Sequence, residues 1–143
     1  MEFIGYFSNV FIFENLLILV LGTIGGLLMG AAPGLSPTMA VALLIPFTFK
    51  MSPDQGLIML GAVYTATVAG GAISAILLKI PGAPANIATV MDGYPMAKSG
   101  KSKEALHYCF ISSFIGGVIG IIILIFFTPI LANFALKFGP SHM

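Results

Sequence analysis

Three long stretches of this chain carry no Asp, Glu, Lys or Arg. They lie between Glu14 and Lys50, between Asp54 and Lys79, and between Glu104 and Lys137, the last interrupted only by His107. A helix that crosses hydrocarbon needs roughly 20 largely apolar residues, and each stretch exceeds that. Only 8% of the chain is charged, against about a quarter in soluble domains. The spacing therefore predicts an all-α integral membrane protein, with residues 1–143 as a single membrane domain. The six basic residues are all Lys and the net charge is +1, so no nucleic-acid partner is expected. The lone Cys109 excludes a disulfide within one chain and argues against a metal cluster. No phosphate loop, metal-ligand spacing or nucleophile motif points to an enzyme. Neither a metal nor an organic cofactor is expected. Glu2 stands where a cleaved signal would carry basic residues, so the N-terminus does not read as such a signal.

Apolar residues between positions 3 and 13 recur at helical spacing. Residues 1–14 read either as a helix lying in the interface or as the first turns of the next span. Residues 15–49 are too long for one straight span, since at about 1.5 Å per residue they would reach roughly 52 Å. The sequence breaks them at Pro33-Gly34-Leu35-Ser36-Pro37, which predicts helices over 16–31 and 37–48. Ser52, Pro53 and Gln55 form a helix-start signal for an apolar run that reaches Leu78. A second interruption follows at Pro81-Gly82-Ala83-Pro84, then a short helix at about 84–92 and a turn at Asp92-Gly93-Tyr94-Pro95. Lys98, Lys101 and Lys103 place the 93–104 loop in the cytoplasm by the positive-inside rule. A last span runs from Ser102 to about Thr128, with a bend expected at Pro129. Gly22, Gly26 and Gly30, then Gly70 and Gly71, then Gly116 and Gly120, mark faces where helices approach closely.

The two interruptions carry the chemistry. In each, Pro-Gly stops a helix and a second Pro opens the next, leaving early backbone N–H groups without helical partners. A helix N-terminus carries roughly half a positive charge and favours an anion such as a carboxylate. Unpaired donors are not tolerated in hydrocarbon, so the broken backbone must face protein or a wet cavity, whether the segments are re-entrant or discontinuous. Transporters place substrate sites at such broken helices. Pro33, Gly34, Leu35, Ser36 and Thr38 at the first break, and Pro81, Gly82, Asn86 and Thr89 at the second, are the candidate substrate-binding residues. Lys79 and Asp92 flank the second break and join the list, because intramembrane charges are costly unless they serve a purpose. For Ser36 the plain alternative is a helix cap; for Thr38, a bond to its own backbone; for Lys79, an interfacial anchor.

These residues also resemble a known family. Gly26-Leu-Leu-Met-Gly-Ala-Ala-Pro-Gly-Leu35, Ala42-Leu-Leu-Ile-Pro-Phe-Thr48, Gly70-Gly-Ala-Ile-Ser-Ala-Ile-Leu-Leu78, Ile80-Pro-Gly-Ala-Pro84, Asp92-Gly-Tyr-Pro-Met-Ala97 and Phe134-Ala-Leu-Lys-Phe-Gly-Pro140 occur in the order found in the large membrane subunit of the tripartite tricarboxylate transporters. The resemblance covers nearly the whole chain but only the N-terminal part of that longer subunit. It implies secondary uptake of citrate-like di- and tricarboxylates in the bacterial inner membrane, driven by a proton or sodium gradient. It implies a small membrane subunit and an extracytoplasmic solute-binding protein as partners, with the rest of the transporter supplied by a C-terminal half or another copy. The alternative is a truncated assembly subunit with no transport of its own. Two departures stand out: Lys79 where the family often has Asn, and Ala72 where it often has Ser.

Overall fold

The structure, a computed structural model, describes residues 10–137. The possible interfacial helix over 1–14 falls largely outside them. Among the described residues there are five α-helices: α1 (Phe13–Ala31), α2 (Pro37–Thr48), α3 (Pro53–Leu78), α4 (Ile87–Met96) and α5 (Ser102–Lys137), with a 3-10 turn at Pro84–Asn86. No strand occurs among the described residues, so the chain is an all-α protein. Phe13–Ala31, Pro53–Leu78 and the long segment Pro84–Ala132 are each long and apolar enough to cross a membrane. Contacts gather into two compact units, Met1–Cys109 and Phe110–Met143.

In the first unit, α1 packs on α3 along its glycines. A Cβ on Gly22 would lie 3.2 Å from the Ala62 Cβ, and one on Gly26 would lie 2.7 Å from the Val63 carbonyl oxygen. A Cβ on Gly30 would overlap the Thr67 carbonyl. Positions 22, 26 and 30 thus meet successively later residues of α3, so the two helices run in the same direction. From the other side, a Cβ on Gly70 would lie 2.5 Å from the Leu27 carbonyl oxygen and 2.9 Å from the Ala31 nitrogen. The glycine pair admits a neighbour, as expected of a close-approach face, and α3 continues unbroken. The buried apolar residues of this unit are nearly all small: Ala40, Ala66, Ala72, Ala75, Ala83 and Ala105, with Val63 and Ile76 the larger exceptions.

Because α1 and α3 are parallel, α2 must return. It begins close to Ala31, which touches Gly70, and ends at Thr48, whose Cβ faces Gly56 in the first turn of α3. Its 12 residues cover about 18 Å, and Pro46 is accommodated inside it. The start of α3 is built as the sequence predicts. Ser52 Oγ accepts from the Gln55 amide and Gln55 Oε1 accepts from the Ser52 amide, each at 3.4 Å.

One helix end differs from expectation. Asp92, Gly93, Tyr94 and Pro95 do not form a turn but continue α4 to Met96. Gly93 is buried against Ile76, where a Cβ would come within 2.7 Å of Cγ1. Packing of this glycine on α3 outweighs the local turn preference. Residues 97–101 then form a wide helical turn, broken at Gly100 with φ 86°. The last helix, α5, runs through Pro129, the position of the expected bend, and continues to Lys137. Proline removes one backbone donor, yet ending the helix would free several polar groups where no water compensates them.

In the second unit, residues 110–132 of α5 are exposed on every face. An all-round apolar helix is the signature of a segment solvated by lipid or by other helices. Gly116 and Gly120 have open space beside them among the described residues.

The glycine seam makes a graded expectation. Gly30→Ala should destabilise most, by about 3 kcal/mol or more, and Gly22→Ala least, by about 1 kcal/mol or less. Gly26→Ala should fall between them. Gly25→Ala, with open space around its Cβ, should be neutral or stabilising by up to about 1 kcal/mol. Thermal unfolding in detergent ranks the four variants; a flat series would mean that α1 does not press against α3.

Candidate functional site: two helix interruptions that meet beside α3

The first interruption follows directly from the seam. α1 can extend along α3 only as far as Gly30 and Ala31. Ala32 then turns extended (φ −73°, ψ 120°), and Gly34 adopts φ 94°, a left-handed value that suits glycine. Leu35 donates its amide to the Ala32 carbonyl at 3.4 Å, closing a tight turn. Ser36 caps α2, its Oγ accepting from the Met39 amide at 3.3 Å. The plain cap role foreseen for Ser36 is therefore real. Thr38 behaves differently: its hydroxyl pairs with that of Ser36 at 2.9 Å. One hydroxyl of the pair donates to the other, so one proton stays available for a ligand. Pro37 opens the helix and is buried, while Pro33 and Gly34 are exposed.

The second interruption is held from α3. Lys79 ends that helix in a left-handed conformation (φ 61°, ψ 24°), with its amide on the Ser74 carbonyl. The Ile80 amide reaches the same carbonyl at 3.4 Å. Ser74 Oγ, buried, lies 3.0 Å from the Gly71 carbonyl and donates to the Ile80 carbonyl at 3.1 Å. Beyond this clasp the chain doubles back along α3. Gly82 rests on Gly71, where a Gly82 Cβ would come within 2.9 Å of the Gly71 Cα. Asn86, buried, donates from Nδ2 to the Val68 carbonyl at 3.1 Å. α4 then climbs again beside α3, reaching Ile76 through Gly93 and Lys79 through Tyr94. The lowest point of this loop is thus the Pro84–Asn86 turn, where α4 begins.

The two interruptions come together. A Cβ on Gly82 would lie 3.4 Å from the Gly30 carbonyl oxygen, one of the last carbonyls of α1. Gly30, Gly70, Gly71, Gly82 and Asn86 form one crossing where no larger residue fits. It lies near the middle of α3: Thr67, which Gly30 touches, is fourteen residues past Pro53 and eleven before Leu78. α2 and α4 both start close to this level.

Not every predicted residue gathers there. Thr89 is half-buried, one turn beyond Asn86. Lys79 and Asp92 are exposed and belong to the far end of α3, eight residues or about 12 Å beyond Gly71 in the case of Lys79. Ser74 is the residue that sequence reasoning passed over. Thr67, Gly70, Gly71 and Ser74 recur at i, i+3, i+4 and i+7, one small face of a helix, and that spacing was a usable signal. Val68 contributes only its carbonyl, which no side-chain pattern reveals.

The fold and this crossing define a polytopic membrane protein with interrupted helices packed through glycine. The chain belongs to the tripartite tricarboxylate transporter TctA family, which it matches over residues 16–143. It is 39% identical over 125 residues to an uncharacterized 52.8 kDa protein of the TAR-I ttuC' 3' region in Agrobacterium vitis. That match covers 87% of this chain and 25% of the relative, so the chain spans about a quarter of the relative's length. No solved structure matches the chain.

The clasp and the seat can be separated by mutation. Asn86→Ala should destabilise by about 1–2 kcal/mol and Ser74→Ala by about 1 kcal/mol. Asn86→Ala should also expose the 80–86 backbone to amide exchange while leaving the α1–α3 seam protected. Unchanged exchange at 80–86 in Asn86→Ala would show that the Val68 bond does not hold the loop.

Proposed function

We propose that this chain forms part of the substrate pathway of a secondary transporter for citrate-like di- and tricarboxylates. One observation carries the proposal: two helix interruptions arriving from opposite ends of α3 meet near its middle, each with a helix starting at the meeting level. With α3 upright in the membrane, both segments reverse as re-entrant hairpins rather than crossing. A carboxylate lodged beside the crossing would find the starts of α2 and α4, the Thr38 amide, one hydroxyl proton from Ser36 or Thr38, and the Thr89 hydroxyl. These neutral donors suit an anion that must later leave, because no fixed countercharge is buried with it. Lys79 then serves at the rim rather than as a ligand.

Orientation follows from the lysines. Lys79, Lys98, Lys101 and Lys103 sit at or just beyond the C-terminal end of α3, against Lys50 at its start, and this excess supports a cytoplasmic position for that end. In the family's tripartite arrangement, a solute-binding protein would deliver substrate to the opposite side. A small membrane subunit would complete the complex, and a proton or sodium gradient in the bacterial inner membrane would drive uptake.

Uptake of labelled citrate and shorter dicarboxylates into proteoliposomes holding the whole complex tests the proposal. Replacing Pro33-Gly34 or Pro81-Gly82 by Ala-Ala should abolish gradient-driven uptake, and the double Ser36→Ala/Thr38→Val variant should reduce it about tenfold or more. Full activity in all three would sink the assignment of the site.

A further inference from the structure

Lys79 occupies an unexpected place. It is the one non-glycine residue with positive φ among the described residues, a conformation that Gly or Asn adopts more readily. A lysine at this position needs a compensating contact, and the structure supplies one: its ammonium stands over the Tyr94 ring, 5.6 Å from the centroid. Tyr94 lies in the last turns of α4. The contact therefore joins the two ends of the 80–96 loop, across its mouth.

Elsewhere the loop is held by close packing on α3 and a few polar ties. It lays Gly82 on Gly71, backbone on backbone, and Gly93 on the Ile76 side chain. Its named polar ties are Ser74 to Ile80 and Asn86 to Val68. Ser74 fixes only the outgoing arm and Asn86 only the tip. Lys79 with Tyr94 is the tie between the outgoing and returning arms.

We infer that Lys79 and Tyr94 form a latch that keeps the 80–96 loop closed and its Pro84–Asn86 tip seated on α3. Lys79 is thus a positioning residue for the loop. The inference does not depend on what the protein transports, because opening of the loop can be measured without substrate.

The test uses the full chain in lipid nanodiscs, with Cys109→Ala and a single cysteine at the buried position next to the tip, Ala83→Cys. Labelling by a water-soluble maleimide reports how often the tip leaves its seat. An exposed cation–π contact corresponds to an increase of about two- to fivefold in the open population when it is lost. Lys79→Met and Tyr94→Leu should each give that increase, and the double variant no more than either alone. Lys79→Arg and Tyr94→Phe should label at the parent rate. If Lys79→Met speeds labelling and Tyr94→Leu does not, Lys79 is a simple interfacial anchor and the latch is overturned. Equal rates in all variants overturn it as well. A general loss of fold is distinguished by ring-fluorinated phenylalanines at position 94, compared with Tyr94→Phe, which weaken the ring's face while nearly keeping its shape. Labelling should rise with each added fluorine, and a flat response overturns the latch.

Discussion

Everything in the first unit depends on how closely α1 can approach α3. The approach is set by glycine: at positions 26 and 30 the backbone of one helix touches the backbone of the other. In hydrocarbon there is no hydrophobic force to press two apolar helices together, because lipid tails are equally good neighbours. Association rests on dispersion and on complementary shape. A seam of glycine and alanine maximises both, and it leaves no slack. Larger side chains such as Leu21, Ile24 and Leu28 are turned outward instead, where lipid would solvate them.

The seam also explains why the chain breaks where it does. At Gly30 and Gly70 the helices are so close that a third segment can enter only as bare backbone, and Gly82 does so. A crossing of this kind brings carbonyls and amides together in a place of low dielectric, where each must be satisfied. The structure meets that demand with short side chains: Ser36 caps α2, Ser74 bridges the end of α3 to Ile80, and Asn86 reaches the Val68 carbonyl. What is left over at the helix starts is a small set of neutral donors, suited to holding an acid loosely. The same geometry moves Lys79 and Asp92 away from the crossing, so full charges stay near the ends of α3. Such partition lowers the desolvation cost of the site.

Much of this organisation was legible beforehand. The charge-free stretches announced the spans, Ser52-Pro53-Asp54-Gln55 announced the start of α3, and Pro33-Gly34 and Pro81-Gly82 announced both interruptions. These signals are local: a missing donor, a cap or a run of apolar residues acts through its immediate neighbours. The end of α4 was misjudged by the same local rules. Asp92-Gly93-Tyr94-Pro95 argues for a turn, but burial of Gly93 on Ile76 argues more strongly for continuation.

By itself, the amino-acid order determined that this is a helical membrane protein and where its helices are interrupted, because bilayer thickness and backbone hydrogen bonding leave few alternatives. Only the tertiary structure decided that the two interruptions meet, that α1 and α3 run parallel with α2 returning between their ends, and that Ser74, Val68 and Tyr94 hold the second loop. Those outcomes depend on contacts between separate segments, such as Asn86 with Val68 across 18 residues and Gly30 with Thr67 across a longer stretch. Spacing within one helix carries no record of its partner.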